Sequence, residues 1–358
     1  MTVGLTSNVF LIVLAVTALA VVALALWLWP RAAKKGPVQW LGRLGLIAAT
    51  QIAILGVILV GANKSFGFYS SWTDLLGASA GKQVLTAGPG GARPVTVTVK
   101  GTTNAGLSSG RARAGEVQKV TFHGPASGLT TNGFVYLPPQ YFQKAHENDR
   151  FPVVVALNGQ PNGALPRTVS ADIIANKIKP TIYVMVRPAV VPGRDVDCTD
   201  VPGGPQALAF FNQDLPMAVA GQYRTSGNPG SWGTLGDSTG GYCALKLPMT
   251  NPTRYGAGAS LSAAAYSPRQ DGRTGDLYAG NAQVRNESDL IWRMQHMPAP
   301  LVSLLVSGSD GPTAQFKQSA KSPTKVDSLP QATTRTTGYP QAVRWLDQQL
   351  SANAQPQG

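Results

Sequence analysis

The sequence predicts an α/β fold, a doubly wound and mostly parallel sheet, preceded by a two-helix transmembrane hairpin. Three observations carry that expectation. Two long apolar runs without a charge lie at residues 9–29 and 44–62. Beyond residue 117, short apolar runs bounded by turn residues alternate with helical patterns, as strands covered by helices on both faces should. In "SWGTLGDSTGGYCALKLPM" an apolar strand passes into a helix through Gly236-Asp237-Ser238-Thr239-Gly240.

Each apolar run is close to the roughly 20 residues needed to cross the hydrocarbon core of a bilayer. The loop between them carries Arg31, Lys34, Lys35 and Arg43, and no basic residue precedes the first run. Basic residues favour the cytoplasmic side, so the loop is expected inside, with the amino terminus and everything after Ala62 outside. A signal peptide fits the first run less well, because a basic leader and a small-residue cleavage site are both missing. The composition agrees with a membrane portion: 43% of the 358 residues are hydrophobic and only 13% charged. The formal net charge of +13 comes without a basic block. That argues against nucleic acid; a cationic face toward anionic lipid or cell-wall polymer and a basic surface with no particular partner both fit it. The lipid bilayer is the expected partner of the two spans, with an envelope glycan or lipid ester as the candidate ligand; a protein partner is left open.

Residues 65–116 read as an interfacial aromatic segment (Phe66, Phe68, Tyr69, Trp72) followed by a flexible linker with one short strand at "PVTVTVK". The main domain is expected over 117–350. "VQKVTFH" and "GFVYLPP" open it as an antiparallel pair, and "FPVVVALN" and "TIYVMVRP" follow as buried strands. Helices are expected at about 163–178 and 205–223. After the glycine-flanked turn come "YGAGASLS", a helix near 287–296, "PLVSLLVSGSD", a weak strand "TKVDSLP" and a last helix "YPQAVRWLDQQL". Residues 351–358 are expected to form a disordered tail. The only cysteines, Cys198 and Cys243, both fall in this outer domain, where an oxidising compartment permits a disulfide.

G-x-S-x-G between a strand and a helix is the sequence form of a turn that exposes a serine nucleophile, here Ser238. An oxyanion hole needs two backbone N–H groups, one just after the nucleophile and one from an earlier strand end. Thr239 and Gln160 are placed to supply them, with Asn158 ordering the loop. An acid should follow a later strand, and Asp310, after "LVSLLVSGS", is the candidate. Asp residues at strand ends also cap turns, and that reading stays open. No cofactor and no metal is expected: the three histidines are scattered, and no phosphate-cradling glycine loop is present.

"GFVYLPPQY", "FPVVVALNGQPNG", "CTDVPGGPQALAFFNQDLPMAVAGQYR", "WGTLGDSTGGYCALKLPMTNPTRYGAGASLS" and "AVRWLDQQL" together resemble the esterase family that includes esterase D and the mycolyltransferases. The similarity runs from about residue 117 to 350 and is greatest to membrane-anchored forms from high-GC Gram-positive bacteria. It implies an α/β-hydrolase fold and acyl-ester hydrolysis or transfer through a serine acyl-enzyme. By motif position it assigns Ser238 as nucleophile, the Gln160 and Thr239 amides as oxyanion hole and Asp310 as acid.

One part of the pattern is missing. The family carries its histidine in a Gly-His-aromatic motif before the last helix, where this chain reads "LPQATTRTTGYPQAVRWL". Of the three histidines, His123 and His146 fall in an opening strand and a charged loop. His296, ending a helix before the acid-bearing strand, is the remaining candidate base. The sequence thus supports two functions: a membrane-tethered extracytoplasmic serine hydrolase or acyltransferase on envelope or extracellular esters, with weak or lost activity; or a non-catalytic scaffold binding an envelope glycan, lipid or partner protein.

Overall fold

Apolar composition decides the first two elements. Helix α1 (Asn8–Leu28) is apolar on every side, and helix α2 (Pro37–Phe66) holds the second apolar run. The computed structural model describes residues 8–29, 37–66, 83–86, 95–103, 105–107, 110–158, 164–228, 230–261, 266–268, 275–308, 310–329 and 335–353. These fall into two compact units, Met1–Ala80 and Gly81–Gly358. Among the described residues of the first unit, α1 contains a stretch long and apolar enough to cross a membrane, Leu11–Leu28. In α2 the described apolar stretch is Gly45–Val60. Most of the expected aromatic segment lies outside the described residues.

The second unit is built on one sheet of ten strands. Their order is β1 (Gln83–Thr86), β2 (Val95–Thr103), β3 (Glu116–His123), β4 (Thr130–Leu137), β6 (Ile182–Val186), β5 (Val153–Ala156), β7 (Trp232–Gly236), β8 (Tyr255–Ser260), β9 (Ser303–Ser307) and β10 (Lys325–Leu329). Strands β1 to β4 are antiparallel, β4 is antiparallel to β6, and the rest are parallel. The short strand expected at "PVTVTVK" is β2; it and residues 83–86, placed in the linker by the sequence, extend the sheet. Alternating Val and Thr in "VTVTVKGTT" suits a half-exposed strand, and pairing with β3 satisfies its backbone groups.

Strands β5, β6, β7 and β8 are wholly buried, as their continuous apolar runs require. One face packs on α3 (Ala164–Ile174) and the last helix, which runs Arg335–Asn353, into the expected tail. Arg344 of that helix forks onto buried Asp172 of α3, with Nε–Oδ2 at 2.9 Å and Nη2–Oδ1 at 3.0 Å. The other face packs on α4 (Leu215–Gln222), α5 (Thr239–Thr250), the pair α6 (Ala282–Ser288) and α7 (Leu290–His296), and α8 (Gly311–Gln318). The last helix is therefore α9. The single helix expected near 287–296 is two: Asp289 breaks the run and caps the second through the N–H groups of Ile291 and Trp292.

Helix α5 positions the turn at its amino end, and its docking has a local cause. Pro248 lies inside the helix and has no N–H to give the Ala244 carbonyl. Thr234 of β7 supplies the missing donor, its Oγ1 lying 2.5 Å from that carbonyl oxygen. The approach is close: a Cβ on Gly258 of β8 would stand 2.2 Å from the same oxygen.

Candidate active site

Parallel strands β5 to β8 bring their carboxyl ends to one edge of the sheet, where an open α/β sheet gathers its chemistry. Ser238 stands at that edge. It follows the end of β7, precedes α5, and is exposed to solvent. Its backbone has φ 52° and ψ −126°, a conformation that costs a non-glycine residue about 1–3 kcal/mol. The flanking glycines make the turn sterically possible. A Cβ on Gly236 would meet the Gly240 carbonyl oxygen at 2.1 Å, and one on Gly240 would meet the Leu157 carbonyl oxygen at 2.1 Å. G-x-S-x-G is here a steric requirement, since neither glycine leaves room for a single methyl group.

Asn158, just after β5, holds the turn from the neighbouring strand. Its Oδ1 accepts from the Asp237 N–H at 3.1 Å, and its Nδ2 donates to the Tyr339 hydroxyl of α9 at 3.0 Å. Tyr339 is buried against the face that α9 covers. It follows the segment in which the sequence pattern would have a histidine. Thr239 opens α5, so its N–H points from the helix's amino end, as an oxyanion-hole donor must. Gln160, the other expected donor, lies outside the described residues.

Of the remaining expected residues, Asp310 stands at the same edge of the sheet as Ser238 and His296 at the opposite one. Asp310 is exposed and caps α8, accepting from the Thr313 N–H at 3.1 Å; it sits at the carboxyl end of β9, the strand position foreseen for an acid. His296 cannot be the base. It ends α7, the helix that leads into the start of β9, and so stands at the amino-terminal edge of the sheet, opposite Ser238. There its Nδ1 lies 2.8 Å from the Trp292 carbonyl oxygen and its ring stacks on Trp292. His146 pairs with Asp149 before β5, at the same wrong edge. His123 ends β3 at the correct edge, but four strand spacings separate β3 from β7, about 19 Å. These three are all the histidines of the chain.

Cys198 and Cys243 form a disulfide with Cα atoms 5.8 Å apart. It ties the loop after β6 to α5. Asp197 and Cys198 both have positive φ there, 44° and 49°. Beside the bridge lies a group that sequence reasoning missed. Lys246 is fully buried, and its Nζ donates to Thr199 Oγ1 at 2.8 Å. Burial, helped by the Arg293 charge, lowers its pKa to about 7 against the pull of Asp200 and Asp197. Nothing in "YCALKLPM" announces this, because a helical lysine ordinarily reaches solvent. Between pH 7 and 10.5 the unfolded chain holds a proton that the folded one releases, so stability should rise with pH there, by at most about 1.4 kcal/mol per unit. Above pH 10 the buried phenols Tyr183 and Tyr255, held above their usual range by burial, reverse the trend. Urea unfolding from pH 7 to 10 should show the rise, and Lys246→Met should flatten it; an equal slope in the variant would remove Lys246 as its source.

Residues 125–349 match the sequence profile of the family described as "Putative esterase". The chain belongs to this esterase family. Solved structures agree on the esterase fold. A ferulic acid esterase shares 15% identity over 65% of this chain and 98% of its own, with a TM-score of 0.53. S-Formylglutathione hydrolase from Agrobacterium tumefaciens shares 12% over 68% and 99%, with a TM-score of 0.51. No curated protein sequence matches the chain. The esterase fold thus carries its serine turn in full, with every histidine of the chain placed elsewhere.

Proposed function

We propose that the chain is a membrane-tethered, extracytoplasmic member of the esterase family that binds an acyl ester of the cell envelope, and that Ser238 transfers acyl groups only slowly. The observation that carries this reading is the placement of all three histidines away from Ser238. A serine hydroxyl needs a base near neutral pH, and imidazole is the usual one. Without it, donors to the oxyanion and substrate binding alone retain a rate about 10³–10⁴-fold above water. The strained turn, kept open by Gly236 and Gly240, supports a retained ligand role for this edge of the sheet.

Tethering is supported by the apolar α1 and by the large apolar side chains that both amino-terminal helices expose, Leu19 and Ile52 among them at 71% each. We assign two spans, with the basic loop at 31–43 inside and residues 81–358 outside. The disulfide fits that side, since thiols stay reduced in a cytosol. Protease added to intact cells should digest the outer unit; complete protection would reverse the orientation.

A fluorophosphonate probe on the full-length protein tests the activity. Labelling should be slow, and the little that occurs should disappear in Ser238→Ala. Rapid labelling lost in that variant would show an activated serine and end this reading in favour of an efficient serine hydrolase.

A further inference from the structure

The carboxyl edge of the sheet holds a second feature, two strands away from Ser238. A cavity of about 930 Å³ opens between the first residues of β4 and the loop that follows β6. That volume is within the range of small-molecule sites, about 300–1,000 Å³. Because β4 runs antiparallel to β6, its first residues and the end of β6 meet at this edge, with Gly133 opposite Val186. Strand β5 alone separates β6 from β7, so the cavity and the serine turn stand about 10 Å apart along the edge. The same loop continues to Cys198, whose disulfide fixes it to α5 behind Ser238.

The lining divides by chemistry. Arg187, Arg194 and Asp195 are the charged groups of the lining, leaving one positive charge in excess. Arg187 is exposed at the mouth, whereas Arg194 is half-buried and held in place by donating from Nη2 to the Asp276 carbonyl oxygen at 2.8 Å. Phe134, Val190 and Val191 give the cavity an apolar wall. A guanidinium at the mouth with apolar side chains within matches a ligand bearing an anion on a hydrocarbon body, since guanidinium is suited to phosphate and carboxylate oxygens.

We propose that this cavity takes the anionic group of the acyl ester bound at Ser238, a phosphate or carboxylate held by Arg187 and Arg194, with hydrocarbon along Phe134 and Val190. The assignment rests on the reading of the chain as an ester-binding protein and names its ligand class: an anionic, acyl-bearing amphiphile. The ester bond would lie about 10 Å from the charge. A phosphatidate, whose ester is only a few bonds from its phosphate, therefore probes the charged and apolar parts of the cavity and not the reach to Ser238.

The test is calorimetric titration of full-length protein, in phosphatidylcholine nanodiscs, with dioctanoyl phosphatidate, neutral dioctanoylglycerol and inorganic phosphate. Phosphatidate should bind at least about tenfold more tightly than either of the others, and Arg187→Gln should remove that advantage. Because Arg187 is exposed, the variant should melt with the wild type. Equal binding of dioctanoylglycerol, equal binding of inorganic phosphate, or unchanged binding to a folded Arg187→Gln would each overturn the proposal. Adding phosphatidylglycerol to the nanodiscs separates the sources. Displacement of phosphatidate identifies a bilayer lipid as the ligand, and undiminished binding identifies a soluble ester; both support the anionic site. Rapid fluorophosphonate labelling would end the slow-turnover reading without touching this result, and lost phosphatidate binding would leave the labelling result intact.

Discussion

Gly240→Ala is expected to be among the most damaging single methyl additions in the unit Gly81–Gly358. The new Cβ would lie 2.1 Å from the Leu157 carbonyl oxygen and 2.9 Å from Asn158 Oδ1. Neither contact is with a flexible side-chain end: one is backbone, the other an amide already committed to the Asp237 N–H. Relief requires α5 to move from β5, which strains the backbone at Ser238 further. The cost should be about 3 kcal/mol, typical of the upper range of overpacking, or a fall in Tm of roughly 6–12 °C. Gly311→Ala is the control, because its Cβ would meet nothing within 4 Å and the residue opens α8. Thermal melts of the two full-length variants in detergent give the comparison. Similar melting temperatures for both would mean that the turn is not packed as described.

Loss of the disulfide should be comparable in size and different in origin. Cys198 and Cys243 are separated by 45 residues. Closing a loop of that length lowers the entropy of the unfolded chain by an amount worth about 4 kcal/mol. The positive φ values at Asp197 and Cys198 offset part of this loss, since an unbridged loop is free to relax them. Cys198→Ala with Cys243→Ala should therefore lower Tm by about 8–16 °C. Wild-type protein treated with reductant under denaturing conditions and refolded reduced should fall between the variant and the oxidised form. A double variant that melts with wild type would show that the bridge contributes nothing beyond the packing around it. The loop it anchors carries Arg187 and Arg194, so the same variant should also weaken phosphatidate binding.

The elements most legible in the sequence were those with one physical explanation. "VVVA" and "IYVMV" are short runs rich in β-branched residues, apolar on consecutive positions, as a strand covered on both faces requires, and both are central strands. The serine turn was legible because glycine at 236 and 240 is demanded by distance. Strands β1 and β2 were harder to place, since Val-Thr alternation at an edge has much the composition of a linker. The supports of the site were invisible for a different reason: Asn158 and Tyr339 are 181 residues apart, and neither type announces a partner. His296 was misplaced because order along the chain does not tell which edge of the sheet a helix end reaches. The reading of Asp310 as an acid competed with its reading as a cap, and the cap is what its side chain forms.

The docking of α5 has a consequence for how this segment can diverge. Pro248, Thr234 and Gly258 converge on one carbonyl oxygen, that of Ala244. A relative that replaces the proline restores the helical donor and releases the threonine from its duty. A relative that replaces only the threonine with valine strands a buried acceptor, at a cost of about 1–3 kcal/mol. The permitted order of substitution is therefore proline first, threonine second, and the glycine last or never. Across the family the three positions should covary with that direction, and a single exchange should be tolerated or rejected according to what the other two already are.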